Sequence, residues 1–379
     1  MLKKLLFTFL SLLLLLLAIE GAVRLTDFDR RVMGDPGLKA VGTQRLIKHV
    51  PYLQWRNRAG AKLGYLNEYL NSRGFRGPEV AATKPGGVVR IAVLGDSCSF
   101  GVVRIERHAV QLARPYATRL QEMLDRRCCP GRAEVINYSS IGYTSYHGVR
   151  VLRRETLPDD PGIVIIRFGW NDHLASPVKR SFTNPRSVVL EELTDWMYLS
   201  RLFAFFAHTP LQKARDSWDE HLKSTPGSAL LAQNTAPPVP WVTPDDYAFN
   251  LSRMADMVSS HGAIPIFLDA PPAPLTPELR GNEKFLGATG YDTYAHLLAA
   301  HRRYQAITEK VAREKGVRLI KTLRTAPEDA PSGYFSRFDL AHPTGIGQKH
   351  IAGLLYAEIS GLLARGGREG VDVVAPPRL

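Results

Sequence analysis

Residues 88–101 read Val88-Val89-Arg90-Ile91-Ala92-Val93-Leu94-Gly95-Asp96-Ser97-Cys98-Ser99-Phe100-Gly101. The part up to Leu94 is β-branched or apolar apart from Arg90. Pro85-Gly86-Gly87 precedes it and Gly95 follows it, so it predicts a buried strand. A serine just past such a strand, flanked by glycines, can sit on a tight turn and face solvent. Taken alone, Gly95-Asp96-Ser97 is an ordinary turn, and it lacks the pattern of a nucleotide-binding glycine loop.

Further strands are predicted downstream at Glu134 to Tyr138, Ile163 to Phe168, Ile264 to Leu268 and Val317 to Lys321. Helical spacing occupies 108–127, 146–157, 245–261, 293–315 and 344–364, with Thr243 before Pro244-Asp245-Asp246 as a helix cap. Strands alternating with helices imply an α/β fold, a parallel sheet covered on both faces. Sites in such folds lie beyond the carboxyl ends of the strands, so residues that follow strands matter most.

Three of these positions carry chemistry-bearing residues. Ser140-Ile141-Gly142-Tyr143 follows the second strand; a glycine lets backbone approach a reacting group and aim an N–H at it. Gly169-Trp170-Asn171-Asp172-His173 follows the third; an asparagine amide can donate to a developing oxyanion. Asp339-Leu340-Ala341-His342-Pro343 precedes the last helix; a histidine can take a proton from a serine, and a carboxylate three residues earlier can hold its tautomer. Each block alone has a plain structural reading: a turn, an Asn/Asp-favoured loop, a surface histidine. Their order along one chain, three at strand ends and one before the closing helix, is what singles them out.

With these four blocks, residues 88–365 resemble the SGNH, or GDSL-like, hydrolase family. The resemblance implies a three-layer α/β/α sandwich with a five-stranded parallel sheet of flavodoxin-like type. It also implies Ser97 as nucleophile, His342 as base and Asp339 as its orienting acid. The oxyanion hole would be the Ser97 and Gly142 backbone amides and the Asn171 side chain. Cys98 departs from the usual leucine of the Gly-Asp-Ser-Leu string and reads as a packing residue, with an oxidation-sensitive neighbour as the less favoured reading. Asp172 and His173 read as structural or substrate-shaping rather than catalytic, and Asp96 as pinning the turn. Asn71-Ser72-Arg73-Gly74-Phe75-Arg76-Gly77-Pro78-Glu79 resembles a segment of exported bacterial members.

Lys3 and Lys4 precede an apolar run from Leu5 to Ile19, broken only by Thr8 and Ser11. A cationic start and a leucine-rich stretch read as a signal anchor or a cleaved signal peptide. The poor small-residue spacing before Ala18 and Ala22 favours the uncleaved anchor over the signal peptide, and a buried core helix is the least favoured reading. The lysines favour a cytoplasmic N-terminus, so the expected location is the inner membrane with the catalytic domain on the periplasmic side. The expected organisation is an anchor over 1–24, an N-terminal extension over 25–87, the hydrolase domain over 88–365 and a tail over 366–379. Within the domain, residues 176–243 form a helical insertion. Its Leu190 to His208 stretch, rich in Trp196, Tyr198, Phe203, Phe205 and Phe206, reads as a helical cap or a membrane-facing element. Glu191, Glu192, Asp195 and Arg201 argue against a second span.

The formal charge is +13, of which residues 1–24 contribute +2 and the remainder +11. No long Lys/Arg block and no alternation of basic with aromatic residues marks a nucleic-acid groove, and scattered arginines suit solubility. The three cysteines, Cys98, Cys128 and Cys129, do not make a disulfide framework; one bridge and one free thiol are open, in any pairing. No Cys/His spacing resembles a zinc site, and no cofactor is expected. The expected function is an esterase acting on O-acetyl or short acyl groups of glycans or envelope molecules. An O-acyltransferase with the same triad, a lipase at the membrane and a noncatalytic binding protein on a hydrolase fold are the rivals. The expected partners are an acylated small-molecule or glycan substrate and the membrane; nothing sets the oligomeric state.

Overall fold

The computed structural model describes residues 1–26, 46–50, 53–64, 66–105, 108–112, 114–176, 179–323 and 331–366. The expected tail and part of the expected N-terminal extension, 27–45, lie outside the described residues. The chain divides into two compact units, one of residues 57–184 and 222–379, the other of residues 1–56 and 185–221.

The larger unit holds a five-stranded parallel sheet: β1 (Val89–Gly95), β2 (Ala133–Asn137), β3 (Ile163–Arg167), β4 (Ile264–Leu268) and β5 (Arg318–Ile320). Its order is β2-β1-β3-β4-β5. The register sets Ile91 beside Val135 and Ile163, and Ile165 beside Ile266. All five residues of β3 are buried, which is what a near-continuous apolar strand in a doubly covered parallel sheet requires.

Alternate residues of the strands divide between the two faces. Ile91, Val93, Ile163, Ile165, Ile266 and Ile320 pack into one core with Leu120 and Leu124 of α2 (Tyr116–Arg127) and Ile351, Leu355 and Ile359 of α8 (Gly345–Gly366). Each such fully buried aliphatic contributes about 1.5–3 kcal/mol of transfer free energy. The helix α6 (Pro244–Ser260) packs against both α3 (Ser145–Val151) and α7 (Tyr294–Lys315), and on β4. These helices form the other layer of the three-layer α/β/α sandwich. Thr243 caps α6 by accepting from the Asp246 N–H, as its spacing predicts.

Two helices differ from the sequence expectation. Residues His108–Gln111 form a strand, antiparallel to Val102–Ile105, and helix α2 begins only at Tyr116. Pro115 is the reason: it restricts the residue before it to extended backbone, so helix cannot run through Arg114. The helix expected over 146–157 is α-helical only to Val151, then widens into a π turn over Leu152–Thr156 and closes as a 3-10 turn over Leu157–Asp159. Pro158 has no N–H to give the Arg154 carbonyl, and regular α bonding ends there.

The smaller unit contains α1 (Leu2–Thr26), α4 (Val188–Met197) and α5 (Arg201–Ser224). Among the described residues α1 is the one helix long and apolar enough to cross a membrane, over Lys3–Thr26. Glu20 of α1 caps α5: its carboxylate accepts from the Arg201 N–H and the Leu202 N–H, each at 2.9 Å, and from the Ser200 hydroxyl at 2.8 Å. A carboxylate there satisfies orphan amides and meets the positive end of the helix.

Candidate active site

In the strand order β2-β1-β3, the chain passes from β1 outward to β2 on one side and then back past β1 to β3 on the other, so the gap between β1 and β3 is the switch point of the sheet. Ser97 stands there, as the first residue of a single helical turn, Ser97–Phe100. Asp96 caps that turn by accepting from the Cys98 N–H at 2.9 Å. Gly95 is required just before it: a Cβ at that position would lie 2.2 Å from the Ser99 hydroxyl and 2.9 Å from the Arg167 carbonyl. The close approach of β1, β3 and the turn therefore depends on a missing side chain.

Ser97 Oγ lies 2.7 Å from His342 Nε2. On the far side of the ring, His342 Nδ1 lies 2.9 Å and 3.0 Å from the two carboxylate oxygens of Asp339. Asp339 is 1% exposed and its oxygens are fully used. Oδ1 also accepts from the Ala341 and His342 N–H groups, and Oδ2 accepts from the Arg104 N–H at 2.8 Å. Burial alone would raise this carboxyl. The His342 imidazole and the Ala341 and His342 amides more than offset that and bring it down to about 2. A carboxylate held ionised at Nδ1 fixes the ring proton there and leaves the Nε2 lone pair toward Ser97.

The other two blocks meet each other. Asn171 Nδ2 donates to the Tyr143 carbonyl at 2.9 Å, and Gly142 adopts a φ of +79°. Asp172 is fully buried and accepts from the Ser145 N–H at 2.9 Å and the Gly169 N–H at 3.0 Å. Burial pushes its carboxyl up to about 7 against those bonds. His173 is buried too and pairs with His301 at 3.0 Å, which reaches the Ala270 carbonyl. Burial, and then the neighbouring His301, drives the His173 imidazole well below the ordinary range. Both side chains are thus committed to buried networks. Cys98 is buried, with its thiol donating to the Ala341 carbonyl; burial, and then Asp96, pushes that thiol well above its usual range, which suits a packing residue rather than a nucleophile. The bridge joins Cys128 to Cys129 and leaves Cys98 free.

Several supporting residues carry no local sequence signal. Gln348 ties the Ser97 turn to α2: its amide donates to the Cys98 carbonyl at 3.0 Å and its oxygen accepts from the Tyr116 N–H. Asn57 holds the second block, donating to the Ser139 carbonyl and accepting from the Ser140 hydroxyl. Buried Arg76 donates to the Phe100, Gly101 and Leu112 carbonyls and makes a two-pronged pair with Glu68. Arg76→Ala leaves these carbonyls without their donor and Glu68 without its partner. It is expected to cost about 2–4 kcal/mol, read as a melting-temperature drop of roughly 5–10 °C. An unchanged melting temperature would mean that water replaces the guanidinium without loss.

The sequence profile of the GDSL-like Lipase/Acylhydrolase family matches residues 93–350. The chain belongs to the GDSL-like lipase/acylhydrolase family. It is accordingly a serine ester hydrolase, and the matched span runs from the strand before Ser97 to the helix after His342. No curated protein matches this chain. Among solved structures it is similar to a lipase/acylhydrolase from Enterococcus faecalis, at 16% identity over 72% of this chain and 96% of that one, with a TM-score of 0.41. It is similar to an inhibitor-bound aryl esterase of M. smegmatis, at 14% identity over 73% and 100% of the two chains, with a TM-score of 0.44. A third is a catalytic mutant of an acetylxylan esterase from Geobacillus stearothermophilus, at 14% identity over 76% and 97%, with a TM-score of 0.41.

Proposed function

We propose that this GDSL-like hydrolase cleaves O-acetyl or short acyl esters of glycans or other envelope molecules, with Ser97, His342 and Asp339 as its catalytic triad. The observation that carries the reading is the unbroken contact chain from Ser97 Oγ through both nitrogens of His342 to Asp339, at 2.7 Å and 2.9 Å. Serine, imidazole and carboxylate in that order are what acyl transfer through a covalent intermediate needs.

His342 Nε2 takes the Ser97 proton as Oγ bonds to the ester carbonyl carbon. The carbonyl oxygen gains the negative charge and is met by the Ser97 and Gly142 amides and the Asn171 side chain. Asn171 is suited to this because one N–H is tied to the Tyr143 carbonyl, which fixes the amide before charge develops. His342 then gives its proton to the leaving alkoxide as the C–O bond breaks. Water, deprotonated by the same imidazole, attacks the acyl-enzyme, and the acid leaves as Ser97 recovers its proton.

The envelope substrate class is supported by α1, whose two lysines precede an apolar stretch long enough to cross a membrane. The positive-inside tendency then favours a chain inserted in the inner membrane with its hydrolase domain on the periplasmic side. The test is a fluorophosphonate probe applied to the full chain, followed by mass spectrometry and an acyl-length series of nitrophenyl esters. An adduct on Ser97 with acetyl or butyryl preference is expected. No adduct in folded protein would sink the triad, and preference for long chains would replace the short-acyl reading with a lipase.

A further inference from the structure

Helix α4 carries an apolar stripe on the wrong side for a globular core. Val189, Leu190, Leu193, Trp196 and Met197 fall at i, i+1, i+4, i+7 and i+8, the spacing of a single helix face. Such a face ordinarily packs inward. Here Val189, Leu190, Leu193 and Trp196 are each at least half exposed, and so are Leu199 in the connection to α5 and Phe206 on α5. A contiguous apolar surface of this kind marks an interaction site.

Its position within the smaller unit says what covers it. The connection between α4 and α5 is fastened to the C-terminal end of α1. Arg24 donates to the Leu199 carbonyl at 2.7 Å and pairs with Glu20 at 2.7 Å, while Glu20 caps α5. The polar residues of α1 that follow its apolar stretch are therefore the residues that hold the apolar stripe. If α1 spans the bilayer, Glu20 and Arg24 stand at headgroup level and α4 is delivered to the same level. Helices that lie in that layer show an apolar face with bulky and aromatic side chains, and Trp196 is the residue type enriched there.

We infer that α4, with Leu199 and Phe206, docks into the acyl–headgroup boundary of the bilayer that α1 crosses, giving the protein a second, interfacial hold on the membrane. This rests on the reading of α1 as a span. The partner is a lipid surface rather than a second protein, because the connection that bears Leu199 is fastened to the end of the helix read as the span. Exposed Glu192 on the same helix indicates insertion by apolar contact rather than attraction to anionic lipid.

The test uses the full chain in phosphatidylcholine nanodiscs containing a lipid with a diazirine on its acyl chain. Light-induced adducts are mapped by mass spectrometry on the peptides 2–19 and 187–199. Labelling of both is expected, and the double change Leu193→Glu, Trp196→Glu should reduce that of 187–199 about tenfold while sparing 2–19. Neither residue belongs to the site, so hydrolysis of a soluble short ester should be unchanged in that variant. Labelling of 2–19 alone overturns the docking and leaves the span standing. If that chain also forms a dimer which the double change splits, the stripe belongs to a second copy. Absence of label from 2–19 removes the span itself, and the docking with it.

Discussion

Ser97→Ala is expected to lower kcat for a short ester by roughly 10⁶-fold, as loss of the nucleophile does in enzymes that work through an acyl intermediate. The fold should barely notice. The hydroxyl makes its contact with His342 at the surface end of the imidazole, whose side chain is 17% exposed, so water can replace it at Nε2. The Asp96 cap, the Gln348 bond to the Cys98 carbonyl and the buried neighbours of the turn do not involve Ser97 Oγ. The melting temperature should move by no more than about 2 °C, since surface-facing polar changes are usually worth about 0.5 kcal/mol. On the proposed triad, whose members act as a unit, adding His342→Ala to Ser97→Ala should cost almost nothing further. Steady-state kinetics on the two single variants and the double decides it. Retention of more than about one part in a hundred of the activity in Ser97→Ala would remove that serine from the chemistry.

Asp339→Asn is expected to be nearly as harmful and for a different reason. The carboxylate accepts at both oxygens: Ala341 and His342 amides at Oδ1, the Arg104 amide at Oδ2, and His342 Nδ1 between them. An asparagine that keeps the Oδ1 bonds turns its NH₂ toward the Arg104 N–H and the imidazole. Donor then faces donor. The imidazole proton is driven to Nε2, where it blocks acceptance from Ser97, and kcat should fall about 10⁴-fold. The stranded Arg104 amide adds about 1–3 kcal/mol of destabilisation. A pH signature distinguishes this from general loosening. The folded carboxyl at about 2 lies below its ordinary 3.8, so its ionisation stabilises the fold above roughly pH 4 and that contribution is lost as pH falls toward 2. The melting-temperature gap between the wild-type protein and Asp339→Asn should therefore narrow between pH 7 and pH 3. An equal gap at both would mean that the carboxylate's charge does not support the fold.

Strands such as Ile163–Arg167 were legible because burial on both faces writes an unbroken apolar run into the sequence, and bounding glycines mark where it stops. The four reactive blocks were legible because parallel strands deliver loop residues to one edge in chain order. Boundaries set by a single proline were not: periodicity in 108–127 continues across Pro115, while the backbone cannot. Nor were the residues that brace the site. Arg76, Asn57, Gln348 and the Arg104 amide work on partners far away in sequence, and an arginine or glutamine whose partners are distant carbonyls looks like any other. The cysteines show the same limit from the other side: composition left every pairing open, and the bridge formed between immediate neighbours, Cys128 and Cys129.

Ser97 and His342 are 245 positions apart, and the amide that braces Asp339 is 235 positions before it. The ribosome makes Ser97 early and His342 almost last. A growing chain can therefore carry β1, β2 and β3 while the proposed acceptor of the Ser97 proton is still unmade. The pair meets only where the loop before α8 (Gly345–Gly366) returns His342 to the end of β1.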